Sequence, residues 1–211
     1  MSRRDGQGRK ARGDALSGRR ASQLDLLAPN AIPIEGFRYQ PDLVHPDMES
    51  ALVTRFADLA FKEFEFHGFL GKRRVVSFGV RYDFGDSQVH QAPEIPTFLH
   101  ALRDLAGKFA GIDPPTLRHA LVTEYQPGAA IGWHRDRPVF KDVVGISLLS
   151  PCRFRLRRKT GTTWQRHAIT LAPRSAYVLQ GIIRQQWQHS IPPAEQLRYS
   201  VTFRTLTESE A

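Results

Sequence analysis

Two segments of the chain carry apolar residues at the three- and four-residue spacing of an amphipathic helix. The first follows Pro46 and covers residues 47–61, and the second spans Glu94–Ala110 behind Pro93 and Pro96. The apolar positions are Leu52, Phe56, Leu59 and Ala60 in the first segment and Phe98, Leu99, Leu102, Leu105 and Phe109 in the second. This spacing gathers apolar side chains on one helical face, and proline is favoured in the first turn. We therefore predict two helices.

Most other segments alternate between apolar and polar residues, which is typical of strands. Turn signals such as Lys159-Thr160-Gly161 separate them. The predicted strands are Arg74–Phe84, His119–Tyr125, Val143–Leu149, Arg153–Arg157, Thr163–Leu171, Ser175–Gln180 and Arg198–Leu206. Two helices in the N-terminal half followed by a strand-rich half predict a mixed α/β (α+β) fold, with the helices packed on a β-sandwich or jelly roll.

Composition limits the class of protein. The chain has 211 residues, of which 41% are hydrophobic, including 13 Phe, and this is enough for the core of one domain. The single cysteine, Cys152, excludes an intramolecular disulfide, and no apolar stretch reaches the roughly 18 residues that span a bilayer. The start lacks the apolar region of a secretory signal, although its Arg-rich character also suits a transit peptide. We expect a cytoplasmic monomer.

The net charge of +9 is concentrated at the start of the chain. Residues 1–24 hold seven Lys or Arg and two Asp. We predict a disordered basic tail over residues 1–24, followed by one domain over residues 25–211. Such a tail either screens phosphates or is merely a solvated segment.

Two of the eight histidines begin a His-x-Asp triplet. The first triplet, His45-Pro46-Asp47, opens the first predicted helix, where an aspartate favours the N-terminus. We therefore exclude it as a metal site. In the second, His134-Arg135-Asp136, an extended chain projects His134 and Asp136 to the same side, so both can bind one ion.

A third ligand would complete a face of two histidines and one carboxylate, which leaves iron(II) with open positions. His189 is the candidate. The following strand alternates between a polar face with Arg198 and Arg204 at its ends and an apolar face. This polar face either lies on the surface or lines a cavity in which the guanidinium groups bind a dicarboxylate.

The order and spacing of these five residues resemble the AlkB family of nucleic-acid dealkylating oxygenases, over residues 66–206. The resemblance implies a double-stranded β-helix (jelly roll) core in which His134, Asp136 and His189 bind iron. It also implies that Arg198 pairs with the distal carboxylate of 2-oxoglutarate and that Arg204 serves the end nearer the metal. Further expected contacts of 2-oxoglutarate are Tyr125, Thr123 and Ser200. Thr123 and Ser200 stand where the family has asparagine.

The resemblance further implies an enzyme that uses Fe(II), 2-oxoglutarate and O2 to demethylate alkylated bases in DNA or RNA, a repair activity. The segment Arg81–Asp86 resembles the aromatic strand of the family's nucleotide-recognition lid. Phe84 is therefore expected to stack on the base opposite His134 and Tyr82 to make a polar contact, although aromatic residues in strands are commonly core residues. Arg137-Pro138-Val139 replaces acidic residues that contact the base in several DNA-repair members.

Two alternatives stay open at this stage. AlkB relatives also act on transfer RNA, messenger RNA and proteins, so the substrate differs while the chemistry stays the same. In a second alternative, a catalytically silent β-sandwich binds nucleic acid through its tail and its basic strand. In that strand, Arg153, Arg155 and Arg157, continued by Arg158 and Lys159, form either a phosphate track or a solvated face.

Overall fold

The computed structural model describes residues 34–66 and 69–207. Its helices are α1 Pro46–Phe56, α2 His100–Ala110 and α3 Gly181–Gln186. Its strands are β1 Phe37–Gln40, β2 Lys62–Phe66, β3 Phe69–Phe78, β4 Val80–Tyr82, β5 Val89–Gln91, β6 His119–Tyr125, β7 Ile131–His134, β8 Phe140–Leu148, β9 Cys152–Thr160, β10 Thr163–Leu171, β11 Ser175–Leu179, β12 Gln188–Ile191 and β13 Arg198–Leu206. The predicted tail over residues 1–24 lies outside the described residues.

The described strands form two antiparallel sheets and one small hairpin. The major sheet has the strand order β1-β11-β8-β13-β6-β3-β2, and the minor sheet has the order β10-β9-β12-β7. Strands β4 and β5 pair with each other. An apolar cluster that includes Tyr177 of the major sheet and Phe154 of the minor sheet fills the space between the two sheets. This arrangement confirms the predicted jelly roll.

The other face of the major sheet packs against the two predicted helices. Leu52 and Phe56 of α1 and Leu102 of α2 join Val201 and Phe203 of β13 in one buried cluster. The layers are therefore helices, major sheet and minor sheet. Within the described residues, no helix is long and apolar enough to cross a membrane.

Both predicted helices are present with different limits. The side chain of His45 accepts a hydrogen bond from the Asp47 amide at the start of α1, so the first His-x-Asp triplet is a helix cap. Helix α1 ends at Phe56, before the predicted end at residue 61. Helix α2 begins at His100, after a short 3-10 turn. A proline disfavours the helical conformation in the residue before it, so Pro93 and Pro96 keep the helix from beginning at the predicted position.

The predicted strand Arg74–Phe84 is two strands in different sheets. Strand β3 ends at Phe78, and β4 begins at Val80. Gly79 between them has φ +77, and a Cβ atom there would lie 2.0 Å from the Arg118 carbonyl oxygen. The positive φ and the close carbonyl oxygen of Arg118 therefore each favour glycine at this bend. Phe84 lies in the turn that follows β4, and not in a strand as predicted.

Several short elements were not predicted. They are β1, β2, β5, β7, β12 and α3, which have three to six residues each. A segment of this length carries too few alternations to be recognised from its pattern.

We expect Gly79→Ala to lower the free energy of unfolding more than Gly161→Ala does. Gly161 also has a positive φ, +59, but a Cβ atom at that position would have no neighbouring atom within 4 Å. The left-handed conformation costs about 1–2 kcal/mol at both sites, and the clash at Gly79 adds about 1–3 kcal/mol. Urea denaturation of both variants measures the difference. Equal destabilisation of the two variants would show that the Arg118 backbone does not restrict position 79.

Candidate active site

The three predicted metal ligands lie together at one end of the minor sheet. His134 is the last residue of β7, and His189 of β12 is its partner in the antiparallel register. Asp136 follows His134 by two residues. The candidate ligand atoms of the three side chains all lie within 4.8 Å of one another. The pairing of β7 with β12 therefore brings together residues that are 55 positions apart.

Hydrogen bonds orient the ligand atoms. Nδ1 of His134 lies 3.0 Å from the Gly132 carbonyl oxygen, so it donates a hydrogen bond and leaves Nε2 for a metal. Oδ1 of Asp136 accepts hydrogen bonds of 3.0 and 2.8 Å from the Arg204 guanidinium. Oδ2 lies 3.6 Å from Nε2 of His189. Two imidazoles and one carboxylate on one side of a pocket fit iron(II).

Burial and neighbouring charges favour the metal-binding protonation states. Burial lowers the pKa of His189 to about 3, and repulsion from His134 acts in the same direction. Burial alone would raise the pKa of Asp136, but attraction to Arg204 and then to the two histidines places it below its ordinary value. Burial also lowers the pKa of His134, so both histidines are neutral and the carboxylate is ionised at neutral pH, as metal ligation requires.

The Arg204 guanidinium has a second hydrogen-bond partner, His119, which the sequence did not indicate as functional. Nη1 of Arg204 lies 3.1 Å from Nδ1 of the buried His119. Burial, together with the charge of Arg204, places the pKa of His119 well below its ordinary value, so its neutral ring accepts the hydrogen bond. The ring also stacks on Phe140, with centroids 4.9 Å apart. His119 thus orients Arg204, which in turn orients Asp136.

Arg198 is buried without full hydrogen bonding. Its side chain is 1% exposed, its Nε donates a hydrogen bond of 3.1 Å to Ser147, and its guanidinium lies over the Tyr125 ring at 4.7 Å. Among the residues that the structure describes, its buried Nη1 has no hydrogen-bond partner. A buried cation with an unused donor is costly unless an anion binds it. This position therefore fits a ligand carboxylate.

All ten predicted site residues line one cavity of about 730 Å³. They are Tyr82, Phe84, Thr123, Tyr125, His134, Asp136, His189, Arg198, Ser200 and Arg204. The register of β13 with β6 explains part of this set, since it pairs Arg198 with Tyr125 and Ser200 with Thr123. Paired residues of adjacent strands project to the same face of a sheet.

Aromatic residues form one wall of the cavity. The rings of Tyr82 and Phe84 meet edge to face at 5.2 Å, and Phe64 meets Phe84 at 5.7 Å. The guanidinium of Arg137 lies 5.2 Å from the Tyr82 ring and 4.7 Å from the Phe84 ring. Arg73 lies 3.8 Å above Phe64. These aromatic residues therefore border the cavity instead of filling the space between the sheets.

The basic strand β9 presents arginines on the outer face of the minor sheet. Arg155 and Arg157 lie 5.0 and 4.3 Å from the Trp133 ring, and Arg157 also lies 4.4 Å from Trp164. Arg153 is exposed on the same face. Arg158 departs from the predicted track, because it binds Gln186 and lies over Trp187 instead.

Comparisons with known proteins agree with this geometry. Residues 47–204 match the model of the 2OG-Fe(II) oxygenase superfamily. An alkylated DNA repair protein ALKBH8 homolog of Arabidopsis thaliana is 29% identical in an alignment of 147 residues, and the match covers 58% of this chain and 42% of that protein. This chain therefore spans less than half the length of that relative. The uncharacterized protein L905 of Acanthamoeba polyphaga mimivirus is 24% identical over 195 residues, covering 84% of this chain and 88% of that protein.

Solved structures with the same fold include OsALKBH1 and a prolyl-4-hydroxylase of Pseudomonas putida. OsALKBH1 has a TM-score of 0.63 at 16% identity, covering 84% of this chain and 100% of that chain. The prolyl-4-hydroxylase has a TM-score of 0.54 at 17% identity, covering 87% and 97%. At these identities the likeness concerns the fold.

We expect the protein to bind one iron(II) ion and each of His134→Ala, Asp136→Ala and His189→Ala to lose stoichiometric binding, because each removes one of three ligands. Anaerobic titration calorimetry with iron(II) measures the stoichiometry, and circular dichroism checks the fold. His45→Ala is the matched control, since it alters the other His-x-Asp triplet and should retain binding. Stoichiometric binding by His189→Ala would contradict the assignment of that ligand.

Proposed function

Because the chain belongs to the 2OG-Fe(II) oxygenase superfamily, we propose that it is an AlkB-type dioxygenase that oxidatively demethylates alkylated bases in nucleic acid. One observation carries the proposal. The candidate iron ligands and the incompletely bonded guanidinium of Arg198 open onto the same cavity, beside an aromatic wall. The Arabidopsis thaliana relative is named as an alkylated DNA repair protein, which supports the nucleic-acid substrate and the role in repair.

The chain supplies three functions to the reaction. His134, Asp136 and His189 would hold iron(II), and all three line the cavity. Arg198, whose Nη1 has no partner among the described residues, would bind the distal carboxylate of 2-oxoglutarate within the polar wall of Tyr125, Thr123 and Ser200. Arg204 keeps the Asp136 carboxylate in its ligating orientation. When bound, iron(II), 2-oxoglutarate and O2 supply the oxidation, in which 2-oxoglutarate becomes succinate and CO2 and a C–H bond is hydroxylated.

The aromatic wall positions the methyl group. A base extruded from its strand loses stacking worth a few kcal/mol, and aromatic side chains replace that stacking in the pocket. Phe84 stacks on the base on the side opposite His134, and Tyr82 makes a polar contact. Hydroxylation of the N-methyl carbon gives a hemiaminal, which releases formaldehyde and the unmodified base.

The outer face of the minor sheet supports binding of nucleic acid. Arginines interleaved with tryptophans combine phosphate binding with a surface on which bases stack. Trp133 of this outer face immediately precedes the metal ligand His134. A nucleic-acid strand bound along Arg153, Arg155 and Arg157 would therefore pass close to the end of the minor sheet that bears the candidate metal site.

The direct test is succinate and formaldehyde release on oligonucleotides that carry one methylated base. We expect iron-dependent release of both, with a higher KM for 2-oxoglutarate in Arg198→Lys and a still higher one in Arg198→Met. Lysine keeps the charge without the planar fork, whereas methionine leaves the carboxylate unpaired at a cost of about 1–3 kcal/mol, roughly 5- to 150-fold.

The control for these variants is Arg118→Met, which replaces an exposed arginine outside the cavity. It should keep the wild-type KM. Iron content is measured in each protein, because the Arg198 variants should retain the metal. Equal KM values in all four proteins would exclude Arg198 as the anchor, and no release of formaldehyde from any methylated oligonucleotide would exclude the proposed function.

A second prediction concerns the outer face. We expect Arg153→Gln/Lys159→Gln to reduce the slope of log K against log salt for single-stranded oligonucleotides, by about 0.7 for each phosphate that is no longer neutralised. Both side chains are exposed, so the fold should be unaffected. Lys108→Gln/Arg118→Gln removes the same charge elsewhere on the surface and should keep the wild-type slope. Identical slopes in both double variants would exclude a phosphate track along β9.

A further inference from the structure

The cavity contains positive charge that the proposed chemistry does not use. Among the described residues, its lining includes six arginines, Arg73, Arg81, Arg135, Arg137, Arg198 and Arg204, and two carboxylates, Glu63 and Asp136. Arg81 pairs with Asp83 at 2.9 Å, and Arg135 donates to the Gln185 carbonyl oxygen at 2.9 Å. Arg73 and Arg137 are the arginines that remain for a substrate.

A hydrogen bond fixes the backbone of Arg137, whereas its guanidinium is available to a ligand in the cavity. Its carbonyl oxygen accepts a hydrogen bond from the buried Arg184 of α3. Its guanidinium lies over Tyr82 and Phe84 and donates no hydrogen bond to any residue that the structure describes. The donors of Arg137 are thus available beside the two rings that we propose to hold the base.

Arg73 adds a second positive charge to the same wall. It stands opposite Tyr125 in the register of β3 with β6 and lies 3.8 Å above Phe64, which meets Phe84 edge to face. Within the described residues, Arg73 donates no hydrogen bond and forms no ion pair. The one carboxylate of the described lining besides Asp136 is Glu63, which is exposed to solvent.

We infer, on the basis of the proposed function, that this cavity selects uncharged bases that present carbonyl oxygens, of the N3-methyluracil and N3-methylthymine class, over cationic methylated bases. Methylation of adenine at N1 or of cytosine at N3 leaves a positive charge on the ring, which Arg137 and Arg73 repel. N3-methyluracil and N3-methylthymine are neutral, and their carbonyl oxygens flank the methyl group. A guanidinium donates to such oxygens as it does to the O6 atom of guanine.

The place of Arg137 in the chain puts its charge beside the candidate metal site. Arg137 directly follows the candidate ligand Asp136. A carboxylate at position 137 would attract a cationic base, whereas a guanidinium repels it. The sign of the charge at this position therefore decides which class of base is stabilised.

The test compares single-stranded oligonucleotides that are identical except for one base: N3-methylthymine, 1-methyladenine or 3-methylcytosine. Formation of the unmodified base gives kcat/KM for wild type, Arg137→Lys, Arg137→Gln and Arg137→Glu. Binding of each oligonucleotide is measured separately by fluorescence anisotropy. Ratios between substrates are the readout, because a general loss of folded protein cancels in a ratio.

We expect wild type to prefer N3-methylthymine at least tenfold, in kcat/KM and in affinity. Arg137→Lys should keep the direction of the preference, Arg137→Gln should reduce it, and Arg137→Glu should reverse it. Lys108→Glu reverses a charge on the exposed side of α2 and should leave the ratio unchanged.

A wild-type preference for the cationic bases would overturn the inference, and so would an unchanged ratio in folded Arg137→Glu. If Arg137→Glu does not fold, Arg137→Gln takes its place. An equal substrate ratio in folded Arg137→Gln and wild type would then overturn the inference. Demethylation of the cationic bases alone would leave the proposed function intact while rejecting the selection. Succinate release without demethylation of any oligonucleotide would reject both.

Discussion

The buried contact between Arg204 and Asp136 is the interaction on which the site depends. Arg204 belongs to β13 in the middle of the major sheet, whereas Asp136 follows the edge strand β7 of the minor sheet. The pair therefore links the two sheets at the point where the candidate metal ligands meet. Two buried charges are tolerated together because each satisfies the other, and removal of one partner leaves an uncompensated charge at a cost of about 3–5 kcal/mol.

Rigidity decreases from the metal ligands towards the entrance of the cavity. Arg198 and Arg204 stand on β13, which is buried along its whole length, and His189 stands on β12, in which three of four residues are buried. Tyr82 and Phe84 instead belong to the two-stranded β4–β5 hairpin, whose turn is exposed to solvent. Conformational adjustment is therefore cheaper in the hairpin at the entrance of the cavity than at the candidate metal site.

Features with a local signal could be predicted from the sequence, and features that depend on distant partners could not. The alternation of β13 predicted that Arg198, Ser200 and Arg204 share a face. The bend at Gly79 was missed because the alternation continues through it, while the close approach of Arg118 is not visible in the sequence. His119 lies in a predicted strand, yet its role arises from Arg204, which is 85 residues away.

The charge balance of the loaded site supports our proposal that the residues at the entrance determine selectivity. The charges of iron(II) and of 2-oxoglutarate cancel, and Asp136 offsets one of the two arginines of β13. With iron(II) and 2-oxoglutarate bound, the inner site therefore retains a small positive charge. Arg73 and Arg137 lie in the same partly buried compartment, where charges are screened less than at the surface. The metal site does not neutralise the positive potential of Arg73 and Arg137. The charge of a substrate therefore contributes directly to the free energy of its binding.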